Sequence, residues 1–238
     1  MFMNDKSLGP QAQDASSSPV RYVARQPILT HQRTIVGYEL LFRSGMEEQF
    51  RCADPDQATK SVIDMTALLG FEALCDGGLA FINCTLETLR RGHIALLPPE
   101  KVVIEILETI PLCDSLLHLC GKLRSEGYKI ALDDFTIDDP RECMAELANF
   151  IKVDLKQTSW DDANKLCRRL GSRACAMLAE KVETPEDFAQ ATQLGFSFFQ
   201  GYFFGKPKTI SFRNAGLESL AHPNPVQPDL ASPIRLVS

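Results

Sequence analysis

The eight cysteines, at positions 52, 75, 84, 113, 120, 143, 167 and 175, never form a CxxC pair, and the four histidines show no ligand spacing such as HExxH. Zinc held by thiolates or by a histidine pair is therefore disfavoured, and in a chain long enough to build its own core the scattered cysteines read as buried free thiols. Basic residues are also short: 25 Lys and Arg against 31 Asp and Glu leave a net charge of -6. That balance argues against wrapping a long nucleic acid, while leaving room for a small phosphate ligand held by metal ions and a few local cations. No apolar run approaches the roughly 20 residues needed to cross a bilayer. The opening MFMNDKSLGPQAQDASSS lacks the apolar core of a secretory signal, so the expectation is a cytoplasmic protein with no membrane partner. Trp160 is the single tryptophan, which leaves little to line a sugar groove and weakens a glycosidase reading.

What the chain does have is a recurrent placement of polar residues. Asn83 in LAFINCT, Glu105 in KVVIEI, Asp133 and Asp134 in YKIALDD, Lys152 and Asp154 in FIKVDL, Glu180 in CAMLAE and Gln200 in FSFFQ each stand at or just beyond a short apolar run. Burying a charge is costly unless it is paired or bound to metal, so a whole series of this kind reads as an active site. Taken singly, each residue also has a plainer reading. Glu105 is compatible with a buried arginine partner, Asp133 and Asp134 with capping the following turn, and Asn83 with capping the helical stretch TLETLRR. Lys152 is compatible with a strand-end lysine whose head reaches solvent.

The spacing between the runs leaves room for helices. LCDSLLHLCGKL puts Leu112, Leu116, Leu119, Cys120 and Leu123 on one face. Strands alternating with helices imply a mostly parallel sheet, whose ligands sit beyond the carboxyl ends of the strands. YVARQPIL and TIVGYELLF are separated only by HQR, a link short enough for a hairpin and too short for a parallel crossover. With a helix starting near Asp56 and strands near 79–83, 101–106, 128–133, 149–154, 174–179 and 197–200, the expectation is an α/β, TIM-like (β/α)8 barrel with its first strand antiparallel. Residues 1–20 read as a flexible tail, 21–207 as the barrel, and 208–238, which contains PNPVQPDLASP, as an extension or linker towards a further domain.

The segments ARQPI, GYELLFR, INCT, VIEILET, ALDDF, IKVD, AEKVET and QGYFFGKP resemble, in order, the landmarks of EAL domains, the phosphodiesterases that linearise cyclic di-GMP. ARQPI with GYELLFR resembles the subgroup in which an HDOD domain follows. The resemblance implies metal-dependent attack of an activated water on one P–O bond of cyclic di-GMP, giving linear pGpG, with two Mg²⁺ or Mn²⁺ ions. Position by position, Glu39, Asn83, Glu105, Asp133, Asp134 and Asp154 match metal ligands, and Glu39 also stands among the catalytic groups. Lys152 resembles the lysine beside the attacking water, Glu180 is the candidate base, and Arg43, Gln26 and Gln200 match substrate contacts. Glu108 and Glu183 resemble supporting groups behind them, Glu108 under the loop after Asp134. A homodimer through residues near 134–160 and a C-terminal HDOD-type domain are further implications.

One segment departs from the family pattern. Where the family reads DFGTGYSS, this chain reads DFTIDDPRE, without either glycine and with added acids and Pro140. Thr136 and Asp138 resist backbone shapes that glycine permits, so the loop keeps open a second reading, a cyclic di-GMP receptor or protein-interaction module with little or no turnover.

Overall fold

Alternation and a tight turn start the architecture. The computed structural model describes residues 20–45, 54–171, 173 and 175–213. β1 (Val20–Thr30) and β2 (Ile35–Arg43) pair antiparallel, with Gln26 opposite Glu39. The turn is closed by the Arg33 amide on the Thr30 carbonyl at 2.9 Å. From there β3 (Leu79–Cys84), β4 (Val102–Ile106), β5 (Lys129–Leu132), β6 (Phe150–Asp154), β7 (Ala176–Glu180) and β8 (Phe198–Phe199) add successively in parallel. β8 then pairs antiparallel with β1, Leu29 opposite Phe199, and closes the barrel at eight strands.

Helices carry most of the crossovers. α1 (Pro55–Cys75) begins where the Asp54 carboxylate accepts from the amides of Asp56 and Gln57, satisfying donors that the first helical turn leaves open. α2 (Leu86–Arg90), α3 (Asp114–Ser125), α4 (Trp160–Leu170) and α5 (Pro185–Leu194) follow. α5 carries a complete capping box between Thr184 and Asp187. The sequence reading differs from the structure at two places. β5 and β6 are joined by a 3₁₀ helix at Pro140–Glu146 and no α-helix. Within the segment read as an extension, β9 (Lys208–Arg213) is a further strand beside β1, with Ile210 and Phe212 against the core. Residues 1–19 and PNPVQPDLASP lie outside the described residues.

Period-two alternation divides each strand between two cores. Ile82, Ile104, Ile130, Ile151 and Met177 join the large cluster under the helices. Ile28, Phe81, Val103, Ala131, Phe150 and Leu178 form a separate plug, with Phe150 edge-on to Phe81 and Phe198 at centroid distances of 5.2 and 5.3 Å. Two residues beyond the plug on each strand stand Asn83, Glu105, Asp133, Lys152, Glu180 and Gln200. The pleat that fills the barrel floor with phenylalanine therefore places a polar layer directly above it.

At the other end, the C-cap residue Asp76 of α1 ties the hairpin to the helix. Its carboxylate accepts from Tyr38 Oη at 2.5 Å and from Arg25 Nη1 at 3.0 Å. Burial alone would raise the Asp76 pKa, but the hydrogen bonds from Tyr38 and Arg25 outweigh it and hold the carboxyl below its ordinary value. A depressed carboxyl stabilises the fold above its unfolded pKa of about 3.9, and that contribution is lost as pH falls through the folded value. Asp76→Asn, which tolerates the same left-handed backbone, is expected to flatten the acid limb of the stability curve below about pH 4. Urea midpoints measured against pH check this; parallel curves for the two proteins would sink it.

Seven cysteines fall in the described residues and all are free, five of them buried. Among the described residues no helix is long and apolar enough to cross a membrane.

Candidate active site

Lys152, at the centre of the polar layer, is 1% exposed. Its ammonium lies 2.6 Å from Glu105, 2.7 Å from Asp133, 3.1 Å from Glu180 and 4.0 Å from Glu39. Four strands thus aim carboxylates at one lysine on a fifth. The lysine head is not in solvent, and the partner of Glu105 is this lysine and no arginine. Glu39 is held from both sides, accepting from Asn83 Nδ2 at 2.9 Å and from Gln200 Nε2 at 2.6 Å. Gln200 Nε2 also donates to Gln26 Oε1 at 3.1 Å, and Gln26 Nε2 to the Gly205 carbonyl. Asn83 caps no helix, since the N-cap of α2 is Thr85.

Gly201 keeps Gln200 in place. A Cβ there would fall 2.1 Å from the Val182 carbonyl oxygen, and the Val182 amide donates to the Gln200 carbonyl at 3.0 Å. Only a residue without a side chain allows the chain after β8 to lie this close to the chain after β7.

Burial and mutual repulsion govern the electrostatics. Desolvation pushes the Lys152 pKa down, but Asp133, Glu105, Glu180 and Glu39 together raise it well above the ordinary lysine value, so the ammonium stays charged. Burial raises Glu105 well above a normal carboxyl, against the pull of Lys152. Burial likewise pushes Glu180 up to about 8, again opposed by Lys152 and aided by Asp133 and Glu39. Asp134 is raised by burial and by Asp133 beside it. The layer has more negative charge than its own cations balance. Asn83 Oδ1 and Glu105 Oε2 are buried with no hydrogen-bond partner, and oxygens of Asp133, Asp134 and Glu180 converge within 4.8 Å. Hard oxygen donors in this arrangement suit a divalent cation.

The glycine-free loop after β5 folds without strain at Thr136 or Asp138; its one positive φ is at Asp134, 45°. An arginine invisible as a site residue in the sequence anchors it. Arg141 is 2% exposed and forms a two-pronged pair with Asp139, Nε to Oδ1 at 3.0 Å and Nη2 to Oδ2 at 2.7 Å. The same guanidinium donates to the Ile106 carbonyl at 2.9 Å and the Asp133 carbonyl at 2.7 Å. It thereby fixes the ends of β4 and β5, the strands that carry Glu105 and Asp133, relative to each other. Pro140 sits at the first turn of the 3₁₀ helix, where a missing amide costs nothing.

The remaining expected residues are less central. Asp154 is in the layer, but its oxygens are engaged by the Lys156 amide at 2.7 Å, by Gln157 Nε2 at 2.6 Å and by Lys181 Nζ. Arg43 leans back to the Phe42 carbonyl at 3.0 Å, with its Nε buried and unpartnered; burial lowers its pKa and Glu39 opposes that. Glu108 is exposed, and no hydrogen bond among the described residues joins it to the loop after Asp134. Glu183 pairs with Lys156 at 3.0 Å. A cleft of about 340 Å³ opens above the layer, lined by Gln26, Glu39, Asp133, Asp134, Glu180 and Gln200 and flanked by Lys181, Glu183 and Tyr202. Lys181 and Tyr202 were not singled out in the sequence.

Compared with known families, residues 68–207 match the EAL domain. The chain belongs to the EAL family. This EAL domain is 41% identical over 197 residues to the cyclic di-GMP phosphodiesterase CdgJ of Vibrio cholerae, covering 81% of this chain and 45% of that protein. It is 37% identical over 196 residues to the uncharacterized protein YuxH of Bacillus subtilis, covering 80% and 48%. The chain thus spans about half the length of these curated relatives. Among solved structures, BlrP1 of Klebsiella pneumoniae in complex with manganese and cyclic di-GMP superposes with a TM-score of 0.64 at 21% identity, over 84% of this chain and 59% of that one. YkuI of Bacillus subtilis, with cyclic di-GMP and calcium, gives 0.58 at 23% identity, over 82% and 55%. At these identities the superpositions show a shared barrel, and the EAL domain's own residues carry the functional argument.

Proposed function

We propose that this EAL domain hydrolyses cyclic di-GMP to linear pGpG in a metal-dependent reaction. The observation that carries the reading is the charge in the layer: the carboxylates of Glu39, Glu105, Asp133, Asp134, Asp154 and Glu180 face the ammonium groups of Lys152 and Lys181. Burial favours the protonated forms of Glu105 and Glu180, and divalent cations would supply the counter-charge that lets the whole set ionise. Glu39, Asn83, Glu105, Asp133, Asp134 and Asp154 are the residues that would hold Mg²⁺ or Mn²⁺. When bound, such ions neutralise phosphate oxygens and make a water nucleophilic near neutral pH.

The other roles follow from the chain's own groups. Lys152 keeps its proton under every neighbouring charge and places a fixed cation where negative charge develops. Glu180, pushed up to about 8 by burial, has the proton affinity of a base working near neutral pH. Arg43 stands beside Glu39 at the end of β2 as a cation for a phosphate oxygen, and Gln26 and Gln200 offer amides along the cleft. Glu108 and Glu183 remain supporting groups at the rim. The free thiols favour the cytoplasm. A homodimer through residues near 134–160 and a C-terminal HDOD-type domain in a longer chain complete the reading; the relatives' greater length leaves room for such a domain.

Glu39→Gln is expected to lower turnover by on the order of a hundredfold or more, because Glu39 joins the Asn83 and Gln200 hydrogen bonds to the ion site. Chromatographic separation of pGpG from cyclic di-GMP measures this; unchanged turnover would remove Glu39 from the site. A second reading, a cyclic di-GMP receptor with little turnover, is favoured by Asp154, whose oxygens are already taken by Lys181, Gln157 and the Lys156 amide. Tight nucleotide binding without product would favour it.

A further inference from the structure

Lys181 follows Glu180 directly and has φ 54°, a left-handed conformation that residues with side chains rarely adopt. Its neighbours leave no alternative: the Leu155 amide bonds to the Glu180 carbonyl at 3.2 Å, and the Val182 amide to the Gln200 carbonyl at 3.0 Å. Strain of this kind persists where the surrounding structure over-determines it, and such residues cluster at functional sites. A glycine would take this backbone freely, so the retained side chain calls for a use.

That side chain ends among the carboxylates. Lys181 Nζ bonds to Asp154 Oδ2, and the ammonium is also under the influence of Asp134 and Glu180. Asp154 is 3% exposed while the Lys181 side chain is 54% exposed, so the carboxylate is fixed and the ammonium has open solvent to move into. Lys152 has no such freedom, being enclosed by its partners. The layer therefore holds one locked cation and one that can leave.

We propose that Lys181 is a built-in competitor for the divalent cation at the Asp134–Asp154 end of the cleft, balancing the carboxylates in the metal-free protein and swinging out when an ion binds. The inference rests on the metal-dependent reading above and adds to it a residue that sets how much metal the site requires. Because the competing charge is tethered, it acts as a locally concentrated monovalent ligand and weakens metal affinity without touching the ion. Lys181 is thus a positioning and tuning residue.

The test is Mn²⁺ binding to the whole chain without nucleotide, followed by the electron paramagnetic resonance signal of free Mn²⁺. Lys181→Met removes the charge and keeps the stem, Lys181→Gly also releases the backbone strain, and Lys181→Arg keeps the charge. The Met and Gly variants are expected to bind Mn²⁺ at least tenfold more tightly than the parent, and the Arg variant within about threefold of it. Equal or weaker binding by the Met and Gly variants overturns the role of Lys181 while leaving the metal site intact. Absence of Mn²⁺ binding in every protein overturns it together with the metal-dependent reading.

Discussion

Metal-free Lys152→Met protein is expected to be about 3–5 kcal/mol less stable than the parent, the range for removing one partner from a buried ion pair. Glu105 is fully buried, Asp133 and Glu180 expose 14% and 12% of their side chains to the cleft, and all three meet the same ammonium. Without it the carboxyls must take up protons or repel one another in a medium that screens them poorly. Added Mn²⁺ is expected to recover much of the loss, because a divalent ion supplies the missing charge to the same oxygens. Urea unfolding in EDTA and in Mn²⁺ measures both quantities. An equal loss under the two conditions would mean that Lys152 is simply part of the core and that the layer takes no ion.

Arg141→Met carries the second large effect, again about 3–5 kcal/mol, for a different reason. The substitution leaves the Asp139 carboxylate, 5% exposed, without its counter-charge and, among the described residues, with only the residue-141 amide as donor. It takes one of two donors from the Ile106 carbonyl, which keeps the Asp133 amide, and takes the guanidinium from the Asp133 carbonyl. Adding Asp139→Asn removes the stranded charge and keeps a side-chain oxygen to accept from the residue-141 amide at the start of the 3₁₀ helix, so Arg141→Met with Asp139→Asn should regain part of the stability. Turnover should not return with it, since both variants lack the guanidinium bridge from the Ile106 carbonyl to the Asp133 carbonyl that ties the strand ends carrying Glu105 and Asp133. Denaturation and product formation on the single and double variants check this. A double variant that recovers stability and turnover together would show that the loop needs filling and no particular anchor.

The parts of the site legible in the sequence share one physical origin. A polar residue two positions past a plug-facing phenylalanine, valine, alanine or leucine on a strand must point the same way as that residue, so FIN, VIE, ALD, FIK, LAE and FFQ disclose the layer from the pleat alone. The hairpin was equally open to reading, because HQR is too short for anything else. Arg141 was not, since DDPRECMAE looks like a solvated acidic loop and the burial of the arginine depends on a carbonyl 35 residues earlier in the chain. Lys181 gave no local sign either, because its backbone is set by Leu155 and Gln200 from other segments. Asp154 matched the family pattern by position, yet the structure engages its oxygens with three nearby donors, a competition that residue order does not reveal. The strand at Lys208–Arg213 was obscured by the proline-rich stretch after it, although Ile210 and Phe212 alternate as a strand should. The missing α-helix between β5 and β6 follows from Pro140 and the acids around it, which support a short capped 3₁₀ turn in place of three helical turns.

The most direct test is chromatographic conversion of cyclic di-GMP by the unmodified chain, with Mg²⁺ or Mn²⁺ in one arm and EDTA in the other. Linear pGpG formed only in the presence of metal is the result this account predicts. Intact cyclic di-GMP in both arms, with the nucleotide nonetheless bound, would contradict it and leave the polar layer as a receptor's charge balance.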